Sequence, residues 1–320
     1  MLKKLFQNIY KKSMLTRQDD MSLARYFTAA DFEGLHTAPY SFVTDKGNRL
    51  NGLFYYYDAP RADRLVVFDH GMGPGHLAYT KEIERIAREG YLVFSYDHTG
   101  CAASEGAHIG GFAQSLADLD CCLTALGGQE ALRGRSIAVV GHSWGGFSTM
   151  NIAALHPEVT HIAALAGFVS PRIILSQMLP PFLSRYTDAM LEAEREQNGR
   201  YADFDARESL ANSSVKALLI YSEDDPLVKY DRNFLPLRDA LRDKENVHFI
   251  LTADRGHNPN FTAEAVKIKN EAFALRDALK KKKQLETPEQ KHSFVAAQDW
   301  DAITEQDEAL WQKIFTHLES

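Results

Sequence analysis

The sequence predicts an α/β fold with a mostly parallel central sheet and helices on both of its faces. Short, mostly apolar runs at residues 65–69 and 91–96 are typical of strands that are buried on both sides. Between them, residues 81–88 place apolar side chains at helical spacing and stop at Gly90, a typical helix end. Strands that alternate with amphipathic helices indicate a parallel sheet that is covered on both faces.

The same alternation continues along the chain, with one interruption. Further apolar runs lie at residues 136–140, 162–166, 215–221 and 247–252. The segment 169–213 contains three prolines and a Glu-rich helical stretch but no strand pattern. We therefore expect it to form a helical cap inserted above the sheet.

The predicted organisation has four parts. They are an N-terminal helical extension at 1–40, the first part of the core at 41–168, the cap at 169–213, and the rest of the core with a long C-terminal helical region at 214–320.

Charge and composition exclude several classes of partner. The net charge is −7, which argues against nucleic-acid binding because such proteins usually carry a basic face. No run approaches the roughly 20 apolar residues of a membrane span, so no stable span is expected. Cys101, Cys121 and Cys122 form no CxxC pair and predict free thiols in a reducing compartment, hence a cytoplasmic location.

The strongest chemical motif is Gly-x-Ser-x-Gly, with Ser143 at its centre. Residues 139–146 read Val-Val-Gly-His-Ser-Trp-Gly-Gly, directly after an apolar run and before a helical segment. A serine nucleophile needs a sharp turn of this kind so that its Oγ projects beyond the sheet. Glycines two positions to either side remove the side chains that would collide there.

This motif resembles the nucleophile elbow of the α/β-hydrolase superfamily, particularly its serine-aminopeptidase-like and esterase-like members. The resemblance covers most of residues 40–260. It implies the α/β-hydrolase fold and a catalytic triad in the chain order serine, acid, histidine.

The sequence offers a histidine and an acid in that order. His257 lies on a loop after the last apolar run, where the family has its general base, and a base is needed because a serine hydroxyl is hardly ionised at neutral pH. The acid is expected in residues 223–225, after the preceding strand. The family pattern, with Asp three residues before Val228, favours Asp225, and Asp224 remains the alternative.

Two backbone N–H groups are expected to stabilise the oxyanion of the tetrahedral intermediate. One belongs to Trp144, the residue after the nucleophile. The other belongs to Met72, in a glycine-rich loop at residues 70–75 that resembles the family's oxyanion loop. The loop is not a phosphate-binding loop, because no Gly-Lys-Ser/Thr follows it.

One stretch departs from the family pattern. Residues 97–106 resemble DxRGxGxSxG, but Thr99 stands where Arg is usual and Ala102 where Gly is usual. Cys101 lies in this stretch, and we interpret it as a bystander thiol because the sequence assigns it no base.

Together these features predict a serine hydrolase that cleaves a carboxylic ester of a small or medium-sized molecule and needs neither cofactor nor metal. An amidase or peptidase with the same triad, an acyltransferase and a non-catalytic binding protein are the alternatives. Apolar residues of the cap, Met178 and Phe182 among them, are expected either to bind substrate or only to dock the cap. The sequence leaves the oligomeric state open.

Overall fold

The computed structural model describes residues 2–320 and contains one eight-stranded sheet. The strands are β1 (His36–Val43), β2 (Arg49–Tyr56), β3 (Arg64–Asp69), β4 (Leu92–Tyr96), β5 (Ser136–His142), β6 (Val159–Leu165), β7 (Lys216–Ser222) and β8 (Val247–Thr252). Their order across the sheet is β1-β2-β4-β3-β5-β6-β7-β8. All pairs from β4 to β8 are parallel, which confirms the predicted α/β class.

Helices connect the strands and extend the chain beyond the sheet. They are α1 (Leu2–Met14), α2 (Thr80–Arg88), α3 (Gln114–Gly127), α4 (Trp144–Ile152), α5 (Pro171–Gln177), α6 (Thr187–Asn198), α7 (Ala206–Ala211), α8 (Phe234–Leu241), α9 (Ala263–Lys281), α10 (Pro288–Ala296), α11 (Trp300–Ile303) and α12 (Glu308–Glu319). Within residues 2–320, every helix is too short or too polar to cross a membrane.

Alternate residues of β3 face two separate apolar cores, because successive side chains of a strand point to opposite faces. Leu65 and Val67 belong to the core covered by α3, α4 and α8. Val66 and Phe68 belong to the core covered by α2 and α12. This two-sided burial is the reason that the strand reads as a continuous apolar run.

The antiparallel pair β1 and β2 was not anticipated from the sequence. These strands lie at one edge, where β2 pairs antiparallel with β4. Most residues of β1 are exposed or half-buried, so the strand lacks the apolar run that marks β3 to β7. The boundary predicted at residue 40 falls inside β1, which begins at His36, and α1 is the one α-helix before it.

The segment between β6 and β7 carries α5, α6 and α7 and no strand. Helix α1 packs against it: the rings of Phe6 and Tyr186 stack with centroids 4.4 Å apart, and Lys3 forms an ion pair of 2.7 Å with Glu192. The N-terminal extension is therefore attached to the inserted segment.

Candidate active site

Ser143 occupies a strained turn between β5 and α4. Its φ of +55° lies in a region that L-residues rarely adopt, and its N–H donates to Leu165 O at 2.8 Å. A Cβ at Gly145 would collide with the carbonyl oxygen of Asp69, and one at Gly141 would collide with Thr149. The two glycines therefore let the turn lie against β3 and α4 while the serine side chain projects from it.

His257 lies on the loop after β8 and joins Ser143 to Asp225. Its Nε2 is 2.7 Å from Ser143 Oγ, and its Nδ1 is 2.7 Å from Asp225 Oδ2. The carboxylate side chain is fully buried, whereas the imidazole keeps 17% of its surface exposed. With Nδ1–H donating to Asp225, Nε2 is free to accept the serine proton.

The two candidate aspartates have different partners. Asp225 Oδ1 accepts the backbone N–H groups of Leu227 and Val228, at 2.8 and 3.0 Å, and this fixes its other oxygen toward His257. Asp224 instead accepts the N–H of Gly256 at 3.1 Å. Asp224 holds the loop on which the histidine lies and does not contact the imidazole itself.

His142, beside Ser143, supports the same loop. Its Nε2–H donates to the carbonyl of His257 at 2.7 Å, and its Nδ1 accepts from Tyr79 Oη at 2.9 Å. Burial, together with the nearby His257, holds the pKa of His142 well below its ordinary value, so the ring stays neutral and keeps one donor and one acceptor. The sequence alone indicates only a packing role for His142, because these partners come from distant parts of the chain.

The loop 70–75 is held beside Ser143 by two buried histidines. His70 Nδ1 is 2.7 Å from Gly71 O, and its Nε2 accepts the N–H of His98 at 3.0 Å; burial lowers the pKa of His70 to about 3. His76 Nδ1 lies 2.6 Å from Asp97 Oδ1. The backbone of this loop is thus fixed before any ligand arrives.

Both predicted N–H donors belong to residues that line the space next to Ser143. Trp144 is the first residue of α4, and the N–H of a first helical residue has no acceptor within its helix. Its indole Nε1–H donates to Phe112 O at 2.7 Å, which anchors the start of the helix.

A cavity of about 580 Å³ opens at Ser143 and His257. The inserted segment contributes Ile174 and Met178 to its wall. Phe182 does not line it and is 76% exposed. The prediction that Phe182 binds substrate is therefore wrong: it lies on the 3₁₀ turn Pro181–Tyr186, beyond the α5 residues that face the cavity.

Comparison with known proteins agrees with this architecture. A family model described as serine aminopeptidase, S33, matches residues 60–198. An esterase of Pyrococcus furiosus has the same fold, with a TM-score of 0.60 over 84% of this chain and 98% of that chain, at 18% identity. The chain has the α/β-hydrolase fold.

Two further relatives are similar. An α/β hydrolase of a Penicillium species has a TM-score of 0.54 over 76% of this chain and 96% of that chain, at 18% identity. A protein of Azorhizobium caulinodans, provisionally named a carbamate hydrolase, is 28% identical over 214 residues, which are 54% of this chain and 78% of that protein.

The departure from the superfamily pattern at Thr99 has a structural explanation. Thr99 N–H and Oγ1 each donate to Asp118 at 2.8 Å, so the threonine satisfies a buried carboxylate behind the site. Ala102, at a glycine position, has a φ of +37° and shows that the turn keeps its left-handed shape. Cys101 is buried, and burial raises the pKa of its thiol, as expected of a bystander.

No group of three or more His, Cys, Asp or Glu side chains in residues 2–320 could hold a metal ion.

Proposed function

We propose that this α/β hydrolase cleaves carboxylic esters of small or medium-sized molecules through an acyl-serine intermediate. The observation that carries the proposal is the chain of two 2.7 Å contacts, from Ser143 to His257 to Asp225, at the floor of a cavity. A hydroxyl, an imidazole and a buried carboxylate in this order are the parts that acyl transfer to serine requires.

In the first half of the reaction, Ser143 Oγ attacks the ester carbonyl carbon while His257 Nε2 takes its proton. Asp225 stabilises the imidazolium that forms and keeps Nδ1–H pointing away from the serine. The negative charge that develops on the carbonyl oxygen would be met by the N–H groups of Trp144 and Met72. The imidazolium then gives its proton to the departing alcohol.

In the second half, water replaces the alcohol. His257 removes a proton from water as the water attacks the acyl carbon, and returns that proton to Ser143 Oγ as the acid leaves. Every proton thus passes through one imidazole nitrogen, whose orientation depends on Asp225 and on the loop held by Asp224 and His142.

Esters are proposed ahead of other acyl compounds for two reasons. Alcohols are better leaving groups than amines, and apolar side chains of the cavity, with Ile174 and Met178 on the cap side, suit an acyl chain or an aromatic ring. The similarity to the esterase of Pyrococcus furiosus and to the protein named a carbamate hydrolase supports hydrolysis of a carbonyl–oxygen or carbonyl–nitrogen bond.

An aminopeptidase, the leading alternative, would need a carboxylate to hold the ammonium of its substrate. Glu192 and Glu196 form ion pairs with lysines of α1. Glu194 accepts the N–H groups of Phe112 and Ala113, at 3.1 and 2.7 Å. No carboxylate lines the cavity among the residues described, so an ester remains the better substrate.

The direct test is labelling with a fluorophosphonate, which reacts with an activated serine. We expect mass spectrometry to place one adduct on Ser143, and Ser143→Ala to abolish both labelling and ester hydrolysis. Ser184→Ala, on an exposed part of the cap, is the matched control and should label like the wild type.

Substrate class is then measured with nitrophenyl esters of increasing chain length and with aminoacyl anilides. Labelling that persists in Ser143→Ala would contradict the nucleophile. Rapid anilide cleavage with weak ester cleavage would favour a peptidase. A protein that neither labels nor hydrolyses would favour the non-catalytic alternative.

A further inference from the structure

A second cavity, of about 400 Å³, lies on the other side of the loop 70–75. It shares Met72, Tyr79, Asn258 and Lys269 with the cavity at Ser143, so the two have a common wall. No residue of the inserted segment 169–213 lines it. Its far wall is built instead from the N-terminal linker and the C-terminal helices.

This second cavity is aromatic and cationic. Its rings include Tyr26, Phe261, Phe273 and Trp300. Its basic residues are Arg25, Lys269 and Arg276, and Glu82 is the one acidic residue that lines it among residues 2–320.

Lys269 differs from the two arginines because it has no carboxylate partner. Arg25 pairs with Asp31 at 2.7 Å, and Arg276 pairs with Asp277 at 3.0 Å. Lys269 Nζ donates to the neutral amide oxygen of Asn258, and no carboxylate among the described residues lies within 4.0 Å of it.

Two aromatic rings surround the Lys269 ammonium. Nζ lies 5.2 Å from the ring centroid of Phe261 and 5.5 Å from that of Phe273, distances at which a cation is attracted to a ring face. An ammonium has three N–H donors, and Asn258 uses one of them. Burial lowers the pKa of Lys269 to about 8, with Glu82 opposing the effect, so the group is still mostly protonated at pH 7.

Glu82 does not serve as the missing partner. Its Oε1 accepts from the amides of Asn260 and Gln306, at 3.0 and 3.2 Å, and burial raises its pKa. Two N–H donors of this half-buried ammonium have no acceptor among the described residues, so they are available to an anion that enters the cavity. The position of Lys269 on the wall shared with the Ser143 cavity makes substrate the natural source of that anion.

We infer that the substrate carries a carboxylate, and that Lys269, which lines both cavities, binds it while the ester lies at Ser143. This inference rests on the proposed function and deepens it. The substrate then has two unlike ends: an apolar part beside Ile174 and Met178, and an anionic part, preferably attached to a ring, beside Phe261 and Phe273.

The test compares esters that differ only in charge. One pair carries the group on the acyl side: the 4-nitrophenyl monoester of adipic acid and that of adipamic acid. The other pair carries it on the alcohol side: the butyrate esters of 4-hydroxyphenylacetic acid and of its primary amide. The measured quantity is the ratio of kcat/KM for acid over amide in each pair at pH 7.

We expect one of the two pairs to favour the acid by roughly 10- to 100-fold, the range for a hydrogen bond to a charged group. Lys269→Met should reduce this ratio to about 1. Lys267→Met is the matched control: it removes a lysine of the same helix whose side chain is 65% exposed, and it should leave the ratio unchanged.

Two results would overturn the inference: wild-type ratios near 1 in both pairs, or a high ratio that Lys269→Met preserves. If Lys269→Met folds poorly, or if the wild type hydrolyses neither pair of esters, ligand binding to the wild type is measured instead. Calorimetry on the wild type should detect binding of 4-hydroxyphenylacetate and much weaker binding of its amide, and equal or absent binding of both would overturn it. If Ser143 is not labelled, in contrast, the proposed function is refuted, but the binding of 4-hydroxyphenylacetate remains an independent result.

Discussion

Two histidines in this protein lie beside aspartates in the same way but differ in their access to solvent. His257 contacts Asp225 and Ser143 and keeps 17% of its side chain exposed at the cavity. His98 lies between Asp118, at 3.2 Å, and Asp69, at 3.0 Å, and is fully buried. Both rings lie within 3.2 Å of a carboxylate oxygen, but His257 lines a cavity whereas His98 has no exposed side-chain surface.

We expect access to solvent, rather than the pairing itself, to separate the histidine of the proposed triad from a structural one. Burial alone would lower the pKa of His98, but attraction to Asp69 and Asp118 outweighs it and raises the pKa to about 9. The ring is therefore mostly protonated at neutral pH. It links Asp69 of β3 to Asp118 of α3 behind Ser143.

The largest effect is expected from breaking the contact between His257 and Asp225. Asp225→Asn should reduce turnover by roughly 10⁴-fold, because the imidazole is then left in the wrong tautomer. Asp224→Asn is the matched control: it weakens hydrogen bonds to the loop backbone and should cost only about tenfold. Ester hydrolysis by the two purified variants measures this, and the reverse order of losses would show that Asp224 is the acid.

Removing His98 from its contacts with Asp69 and Asp118 should reduce the stability of the fold instead of the turnover. His98→Gln leaves two carboxylates without their cation, and removal of one partner from a buried ion pair typically costs about 3–5 kcal/mol. Urea unfolding measures the free energy of unfolding. His36→Gln, which removes the exposed pair with Asp58, should change it by less than about 1 kcal/mol. Equal losses in the two variants would contradict the buried-pair interpretation.

The raised pKa of His98 also predicts a dependence of stability on pH. The folded-state pKa lies above the unfolded value, so the stabilisation is complete below about pH 6.5 and is lost as pH rises toward about 9. The full change is about 3 kcal/mol. The difference in unfolding free energy between the wild type and His98→Gln should therefore shrink between pH 6.5 and 9, and a constant difference would refute the charged state.

The smallest effect is expected from replacing one apolar side chain of the cavity wall. Met178 lines the cavity, and Met178→Ala should shift the kcat/KM ratio of long to short esters by about threefold to tenfold, part of the value of a lost methylene contact. Phe182→Ala, on the surface of the same segment, should leave that ratio as in the wild type. A changed ratio of long to short esters in Phe182→Ala, but not in Met178→Ala, would show that Phe182 contacts the substrate.

The sequence alone predicted the α/β class, six of the strands, and the candidate site residues Ser143, His257 and Asp225, with Asp224 as the alternative acid. This was possible because these features are local: buried strands are apolar runs, and the residues of the motifs lie on the loops that follow them. Strands β1 and β2 were not predicted, because strands in contact with solvent at the edge of a sheet have mixed composition.

Which polar residues lie together became clear from the packed chain and not from the sequence. His142, Tyr79 and Lys269 come from β5, the turn before α2, and α9, and no spacing in the sequence connects them. The same limit applies to Phe182, since an apolar residue of the inserted segment can face the cavity or the solvent with equal ease. Burial, partner distances and the shared wall of the two cavities are properties of the packed chain, and they distinguish the imidazole of His257, which faces a cavity, from the fully buried imidazole of His98.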